Sequence, residues 1–282
     1  NCSCVKFQVF NTPKYMSTNA ISASYIEAGS REGEKFYDLS KKFEFTYDEH
    51  RELHKYSEKV GIPWIASFFD QESLDFLVEL KVPVLKIASG ELNDFPLLKS
   101  AAKTKIPLIL STGMASLDEI DETLKFLKAN KAGELYLMHC VSWYPADVDD
   151  MNIKFIDTLF ENYGLPVGLS DHTLGINVSN AARARGVKFF EKHYTLTNED
   201  FGPDHSASLE PGELAEMVVS IDEAGRCIGN GSKTVTSLEL DQRKVHRKSI
   251  VAESVIRKGE IITKDKIAFK RPGTGIPPKY FD

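Results

Sequence analysis

The sequence predicts an α/β chain built as a (β/α)8 TIM barrel and followed by a small β-rich domain. Seven short apolar runs carry the barrel reading: residues 5–8 (Val-Lys-Phe-Gln), 64–67 (Trp-Ile-Ala-Ser), 85–89 (Leu-Lys-Ile-Ala-Ser), 108–111 (Leu-Ile-Leu-Ser), 137–140 (Leu-Met-His-Cys), 167–172 (Val-Gly-Leu-Ser-Asp-His) and 189–193 (Phe-Phe-Glu-Lys-His). Most are followed by an amphipathic stretch of helix length, and from about residue 84 onward the runs recur at the spacing of parallel βα units. Each ends in or near polar side chains of catalytic type. Barrels place their chemistry at the carboxyl ends of their strands, so these side chains are the candidate site. The chain has 282 residues with 42% apolar content, enough for a barrel, which takes roughly 250 residues as one domain.

The elements follow in order. The first strand begins almost at residue 1. Residues 11–45 are polar and mixed, with Pro13, Gly29 and Gly33, and read as a long active-site loop. Thr46 can cap a helix running through 49–60, with Gly61 as its stop. Helices are expected over 71–80, 95–103 and from the Ser116 cap, with Glu119 at capping-box spacing, to Asn130. Further helices are expected over 153–162, 175–186 and 210–228. Seven strands cannot close an eight-stranded barrel, so one βα unit is inferred to be missing before Asn1. The barrel is assigned to 1–232, a charged linker to 233–245, and an abbreviated small domain to 246–282, where short strands alternate with Gly and Pro turns.

Charge and composition exclude several classes. A net charge of −6 and a pI near 5.7 oppose an electrostatic nucleic-acid footprint. Four cysteines in a chain of this length make no disulfide framework, which fits a reducing, cytoplasmic setting. No apolar run reaches membrane-span length, so no membrane partner is expected. A small-molecule enzyme is the class that remains.

Lys6 and Lys86 occupy comparable positions inside apolar strand runs. Burying a lysine costs several kcal/mol unless an anion pairs with it, so the two call either for internal salt bridges or for an anionic ligand; convergence on one barrel mouth favours the ligand. Ser89, Ser111 and Ser170, with the backbone N–H groups exposed at Gly90 and Gly113, suit phosphate and carboxylate oxygens. His172 and His193 end adjacent strands and could share a divalent metal whose shell is completed by water and substrate; structural or acid–base roles are the alternatives. His139 lies mid-run and reads as core. Glu91, Asn93, Tyr144, Asp204 and His205 follow strands and could serve a polyhydroxylated substrate.

These motifs, in order along essentially the whole chain, resemble the sialic acid synthase family. The match runs through residues 5–8, 86–91 (Lys-Ile-Ala-Ser-Gly-Glu), 110–114, 139–145 (His-Cys-Val-Ser-Trp-Tyr-Pro), 168–173, 191–193, 202–209 (Gly-Pro-Asp-His-Ser-Ala-Ser-Leu) and 270–275 (Lys-Arg-Pro-Gly-Thr-Gly). The resemblance implies condensation of phosphoenolpyruvate with an N-acylated amino sugar, typically N-acetylmannosamine, to N-acetylneuraminate and phosphate. Legionaminate and pseudaminate synthases are close relatives, so a diacetamido 6-deoxy sugar is the alternative acceptor. It also implies an antifreeze-like (SAF) domain after the barrel and a domain-swapped homodimer. On this chain it assigns Lys6, Lys86, Ser89, Ser111, Ser142 and Ser170 to phosphoenolpyruvate, and His172 and His193 to Mn2+ or Mg2+. Gln8, Glu91, Tyr144 and Asp204 would contact the sugar, as would Arg271 from the partner chain. Lys6, Lys86, Glu91, His172 and His193 would carry catalysis. The family's opening strand, with its glutamate, is absent here, and Ser142 stands where some members have Asn.

Two other classes compete. A metal-dependent barrel hydrolase would want histidines on an early strand and needs no pair of lysines. A non-catalytic binding paralogue has no reason to keep buried charges.

Overall fold

The computed structural model describes residues 2–24, 26, 30 and 33–281, so Asn1, Gly29 and Asp282 lie outside the described residues. The chain divides into two compact units, Asn1–Ile228 and Gly229–Asp282.

In the first unit, seven parallel strands pair in chain order: β1 (Val5–Val9), β2 (Trp64–Phe68), β3 (Leu85–Ile87), β4 (Leu108–Ser111), β5 (Leu135–Cys140), β6 (Val167–Asp171) and β7 (Phe190–Lys192). Six strand spacings in a flat sheet would separate β1 from β7 by roughly 29 Å. Instead, the Lys6 ammonium of β1 is 3.6 Å from the Glu191 carboxylate of β7, so the sheet curls on itself in the manner of a TIM-like barrel.

Local chemistry explains the helices on its outer face. Thr46 and Ser116 each form a full capping box, with Glu49 and Glu119 respectively. Asp70 and Asp94 cap the helices Gln71–Glu79 and Phe95–Thr104. Gly61 ends its helix in the left-handed region at φ 75°. Leu74, Leu77, Leu98, Leu124, Leu127 and Leu159 are almost fully buried against the sheet, each worth about 1.5–3 kcal/mol.

The structure departs from the sequence reading in four places. Residues 11–45, read as loop, contain the helices Thr12–Tyr15 and Phe36–Phe43. Pro13 suits the first turn of the former. In the latter, Phe36, Leu39 and Phe43 fall on one face among lysines that hide the pattern, and Leu39 is buried. The helix expected over 175–186 spans Asn177–Ala184, because Gly175 and Gly186 take left-handed φ values of 68° and 94°. The last strand is shorter than the apolar run, Phe190–Lys192.

Finally, the stretch 233–245, read as linker, holds most of the helix Ser237–His246. Its charge run conceals a Thr236–Glu239 capping box and an Asp241–Lys244 ion pair at 2.9 Å. The rest of the second unit is organised by the antiparallel pair β8 (Ser249–Ala252) and β9 (Ile267–Lys270). The Ser249 hydroxyl donates to the Pro272 carbonyl at 2.7 Å and accepts from the Gly275 N–H at 2.9 Å.

Candidate active site

Strand alternation decides which side chains face the barrel axis. Ser170 pairs in register with Glu191, and Asp171 with Lys192. Ser170 and Glu191 point inward, Asp171 and Lys192 point away from the cavity, and the next step turns His172 and His193 inward again. The inward groups line a cavity of about 670 Å³ at the carboxyl ends of the strands. Lys6, Gln8, Lys86, Ser89, Glu91, Ser111, Ser142, Tyr144, Ser170, His172, His193 and Asp204 all line it. Arg271 lies in the second unit, where its Nε donates to the His246 carbonyl at 2.9 Å. Asn93 is exposed outside the cavity lining, and His139 is buried, its Nε2 at 2.6 Å from the Met151 carbonyl.

Glu191 organises one end of the cavity. Its carboxylate lies 3.2 Å from Lys86 and 3.6 Å from Lys6, and accepts a hydrogen bond from the Ser170 hydroxyl at 3.1 Å. Burial opposes its charge, but Lys6 and Lys86 outweigh that cost and hold it well below the usual carboxylate range. Burial likewise pushes Lys86 down, against the pull of Glu191. The two strand lysines are thus partnered from within the protein, the salt-bridge alternative of the sequence analysis. Two cations on one carboxylate still leave an excess positive charge facing the cavity. Sequence reasoning had not singled out Glu191. Its signal was present: alternation in β7 aims it at the same axis as the two lysines.

Beside this triad is a cradle of hydroxyls. Ser89 Oγ accepts from the Gly113 N–H at 3.1 Å and lies 3.6 Å from Cys140 Sγ, which is 3.7 Å from Ser142 Oγ. Ser111 Oγ is buried with no hydrogen-bond partner among the described residues. A Cβ at Gly113 would sit 2.1 Å from Ser142 Oγ and 2.8 Å from Ser89 Oγ, so a side chain there would push the cradle hydroxyls out of place. Such a cluster suits the oxygens of a phosphate or carboxylate.

The imidazoles adjoin both groups: Ser170 Oγ lies between Glu191 and His172 Nε2, and Cys140 Sγ is 3.9 Å from His172 Nδ1. His172 and His193 have ring centroids 5.4 Å apart, with Tyr144 packed on both at 4.1 and 5.3 Å. His172 Nδ1 is 2.7 Å from the Val141 carbonyl and must carry its proton there. Ser170, 3.3 Å from His172 Nε2, donates instead to Glu191, which leaves the Nε2 lone pair available. Burial, reinforced for His172 by His193 and for His193 by Lys6, lowers both to about 4, so both are neutral donors at pH 7. Asp204 Oδ2 is 3.5 Å from His193 Nδ1, and burial raises its carboxyl. Among the described residues no group of three or more His, Cys, Asp or Glu is placed to hold a metal by itself. The two neutral imidazoles, with the His172 Nε2 lone pair available, could supply two donors to a divalent cation whose other ligands would be water and substrate.

The remaining wall is apolar. Phe10, Tyr15 and Phe69 pack together with centroids 5.4–6.0 Å apart, and Phe36 and Phe43 extend the surface. Glu91 sits near this wall, raised to about 7 by burial and the neighbouring Asp94 charge.

Residues 1–233 match the NeuB family. The chain belongs to this family. It is 39% identical over 278 residues to the N,N'-diacetyllegionaminic acid synthase of Legionella pneumophila, covering 97% of this chain and 78% of that protein. It is 36% identical to human N-acetylneuraminate-9-phosphate synthase, over 98% of this chain and 77% of that one. The crystal structure of an N-acetylneuraminic acid synthetase from Leptospira borgpetersenii superposes with a TM-score of 0.73 at 34% identity, covering 85% of this chain and 79% of that one. NeuB-family synthases are phosphoenolpyruvate-dependent condensing transferases, so this chain is a nonulosonic acid synthase of that class. No helix among the described residues is long and apolar enough to cross a membrane.

Proposed function

We propose that the protein condenses phosphoenolpyruvate with N-acetylmannosamine to give N-acetylneuraminate and phosphate, with a divalent cation, Mn2+ or Mg2+, at His172 and His193. The observation that carries this reading is the placement of an excess cationic group, Lys6–Glu191–Lys86 with its serine cradle, beside two neutral imidazoles in one cavity, with Ser170 between Glu191 and His172.

Lys6 and Lys86 neutralise the phosphate and carboxylate of phosphoenolpyruvate, while Ser89, Ser111, Ser142 and Ser170 orient their oxygens. When bound, the cation supplies Lewis acidity toward the aldehyde oxygen of the open-chain sugar. C3 of phosphoenolpyruvate then bonds to the aldehyde carbon, whose oxygen takes up a proton. Glu91, poised near neutrality, is suited to deliver that proton. Water adds at C2, and phosphate leaves by C–O cleavage to give the keto acid. Gln8, Tyr144 and Asp204 hold the sugar hydroxyls. The second unit acts as an antifreeze-like domain that brings Arg271 to the sugar of the partner chain in a domain-swapped homodimer.

A second reading takes a diacetamido 6-deoxy sugar as acceptor. The aromatic wall of Phe10, Tyr15 and Phe69 favours it, because a deoxy carbon and an acyl methyl gain there what a hydroxyl loses.

Phosphate release with Mn2+, measured on N-acetylmannosamine, its 6-phosphate and the diacetamido 6-deoxy sugar with EDTA as control, separates these. EDTA-sensitive release with N-acetylmannosamine supports the first reading. Release confined to the diacetamido sugar selects the second, and none with any sugar from folded full-length protein overturns both. Label from 18O water should enter the ketone-derived oxygen; label in phosphate excludes C–O cleavage.

A further inference from the structure

Directly behind the two imidazoles, on the face of the sheet turned away from the cavity, lies a buried ion pair. Asp171 and Lys192 are register partners on β6 and β7, their side chains 0% and 2% exposed and 3.2 Å apart. Each immediately precedes one of the histidines. Asp171 is saturated: Oδ1 accepts from the Thr173 N–H at 2.9 Å and the Thr173 hydroxyl at 2.7 Å, and Oδ2 accepts from Ser179 Oγ at 2.7 Å. Lys192 also donates to the Thr173 carbonyl. His172 is therefore held between two residues tied to one carboxylate, and the neighbouring strand is tied to the same knot through Lys192.

A buried ion pair is weak evidence for stability, because desolvation consumes most of the Coulombic gain. Its defensible role is to select one arrangement among near-equal alternatives. Here the quantity selected is the offset between two strand ends. Slippage or splay of β7 against β6 would change the separation of the rings, which lie beyond the last paired residues, and to a smaller degree the Ser170–Glu191 contact one step back.

We propose that the Asp171–Lys192 pair, braced by Thr173 and Ser179, is a positioning device that sets the spacing and orientation of His172 and His193 for cation binding. This rests on the reading of those histidines as the metal donors. Neither Asp171 nor Lys192 lines the cavity, so both act through the residues that follow them.

The test is a Mn2+ titration of the full-length apo-protein, following free Mn2+ by electron paramagnetic resonance, alongside phosphoenolpyruvate affinity without metal and the thermal midpoint. Lys192→Met and Asp171→Asn should weaken Mn2+ about 10- to 100-fold and weaken phosphoenolpyruvate by a clearly smaller factor. Lys192→Arg should restore most of the Mn2+ affinity. Should either main variant fail to fold, Ser179→Ala and Thr173→Val remove one brace each without stranding a buried charge, and should weaken Mn2+ a few-fold. Folded variants that bind Mn2+ like wild type, with only the midpoint lowered, would make the pair structural and overturn the proposal. The metal reading is checked separately by His172→Ala. If wild type binds no Mn2+, or His172→Ala binds it undiminished, that reading falls and the proposal with it.

Discussion

The Glu191 carboxylate lies 3.2 Å from the Lys86 ammonium, whose side chain is only 3% exposed at the barrel mouth. With Lys6 at 3.6 Å on the same carboxylate, Glu191 is a resident counterion for the charge pair that an incoming phosphoenolpyruvate would use. Substrate binding is then a competition between an internal and an external anion.

Replacing that counterion by its neutral isostere follows from this geometry. Glu191→Gln strands two lysines, and loss of one partner from a buried pair costs about 3–5 kcal/mol. The variant should show a lowered thermal midpoint in phosphate-free buffer and a larger recovery than wild type on adding phosphate, since any ligand of the folded state stabilises it. Equal phosphate responses in the two proteins would show that Glu191 does not compete with the anion.

Gly113 offers a purely steric test. A methyl group there would meet Ser142 Oγ at 2.1 Å and Ser89 Oγ at 2.8 Å, an overpacking worth about 1–3 kcal/mol. Gly113→Ala should raise the KM for phosphoenolpyruvate by roughly tenfold or more, and adding Ser142→Ala should recover part of the loss. An unchanged KM would place the cradle away from the phosphate.

Glu91 governs a pH dependence of unusual sign for a carboxylate. Its value in the folded protein, about 7, lies above its ordinary 4.5. Between those values the folded state holds one more proton than the unfolded chain, so stability falls as pH rises through the window and then levels off. Glu91→Gln removes the slope, so above about pH 8 the variant should exceed wild type by roughly 1–3 kcal/mol, and below about pH 4 it should show no such gain. The kcat/KM profile of wild type should bend near the same pH and lose that bend in the variant. Parallel denaturation curves at both pH extremes would contradict the assignment.

The proposed contribution of Arg271 to a partner's barrel is tested by mixing. Arg271→Ala and His172→Ala should each be inactive, while unfolding and refolding them together at equal concentration should restore about a quarter of wild-type sites, because half of the randomly paired dimers carry one intact site. Retention of full inactivity after mixing would mean that Arg271 serves its own barrel or none.

Much of the fold was legible from residue order. Apolar runs with a period of βα units, the Thr46 and Ser116 capping boxes and the left-handed Gly61 are local signals, and local signals survive in sequence because they act within a few residues. The helix Phe36–Phe43 was not legible, because its apolar face is spread thinly among lysines and is selected by burial of Leu39 under the barrel mouth. The helix Ser237–His246 was masked by charge, although Thr236 and Glu239 carried its start.

For the site, the sequence by itself determined which side chains stand at strand ends: the strand period of two is local, and it aims Lys6, Lys86, Ser170, His172 and His193 at a common axis. Only the tertiary structure decided what those groups do to one another. Closure of β7 toward β1 turns Glu191 from one residue of an apolar run into the counterion of two lysines on distant strands. Pairing of adjacent strands, β4 with β5 and β6 with β7, brings Gly113 against Ser142 and sets the imidazole rings 5.4 Å apart. Charge pairing and desolvation depend on distances between strands, and those distances come from packing and curvature, which no single stretch of sequence encodes.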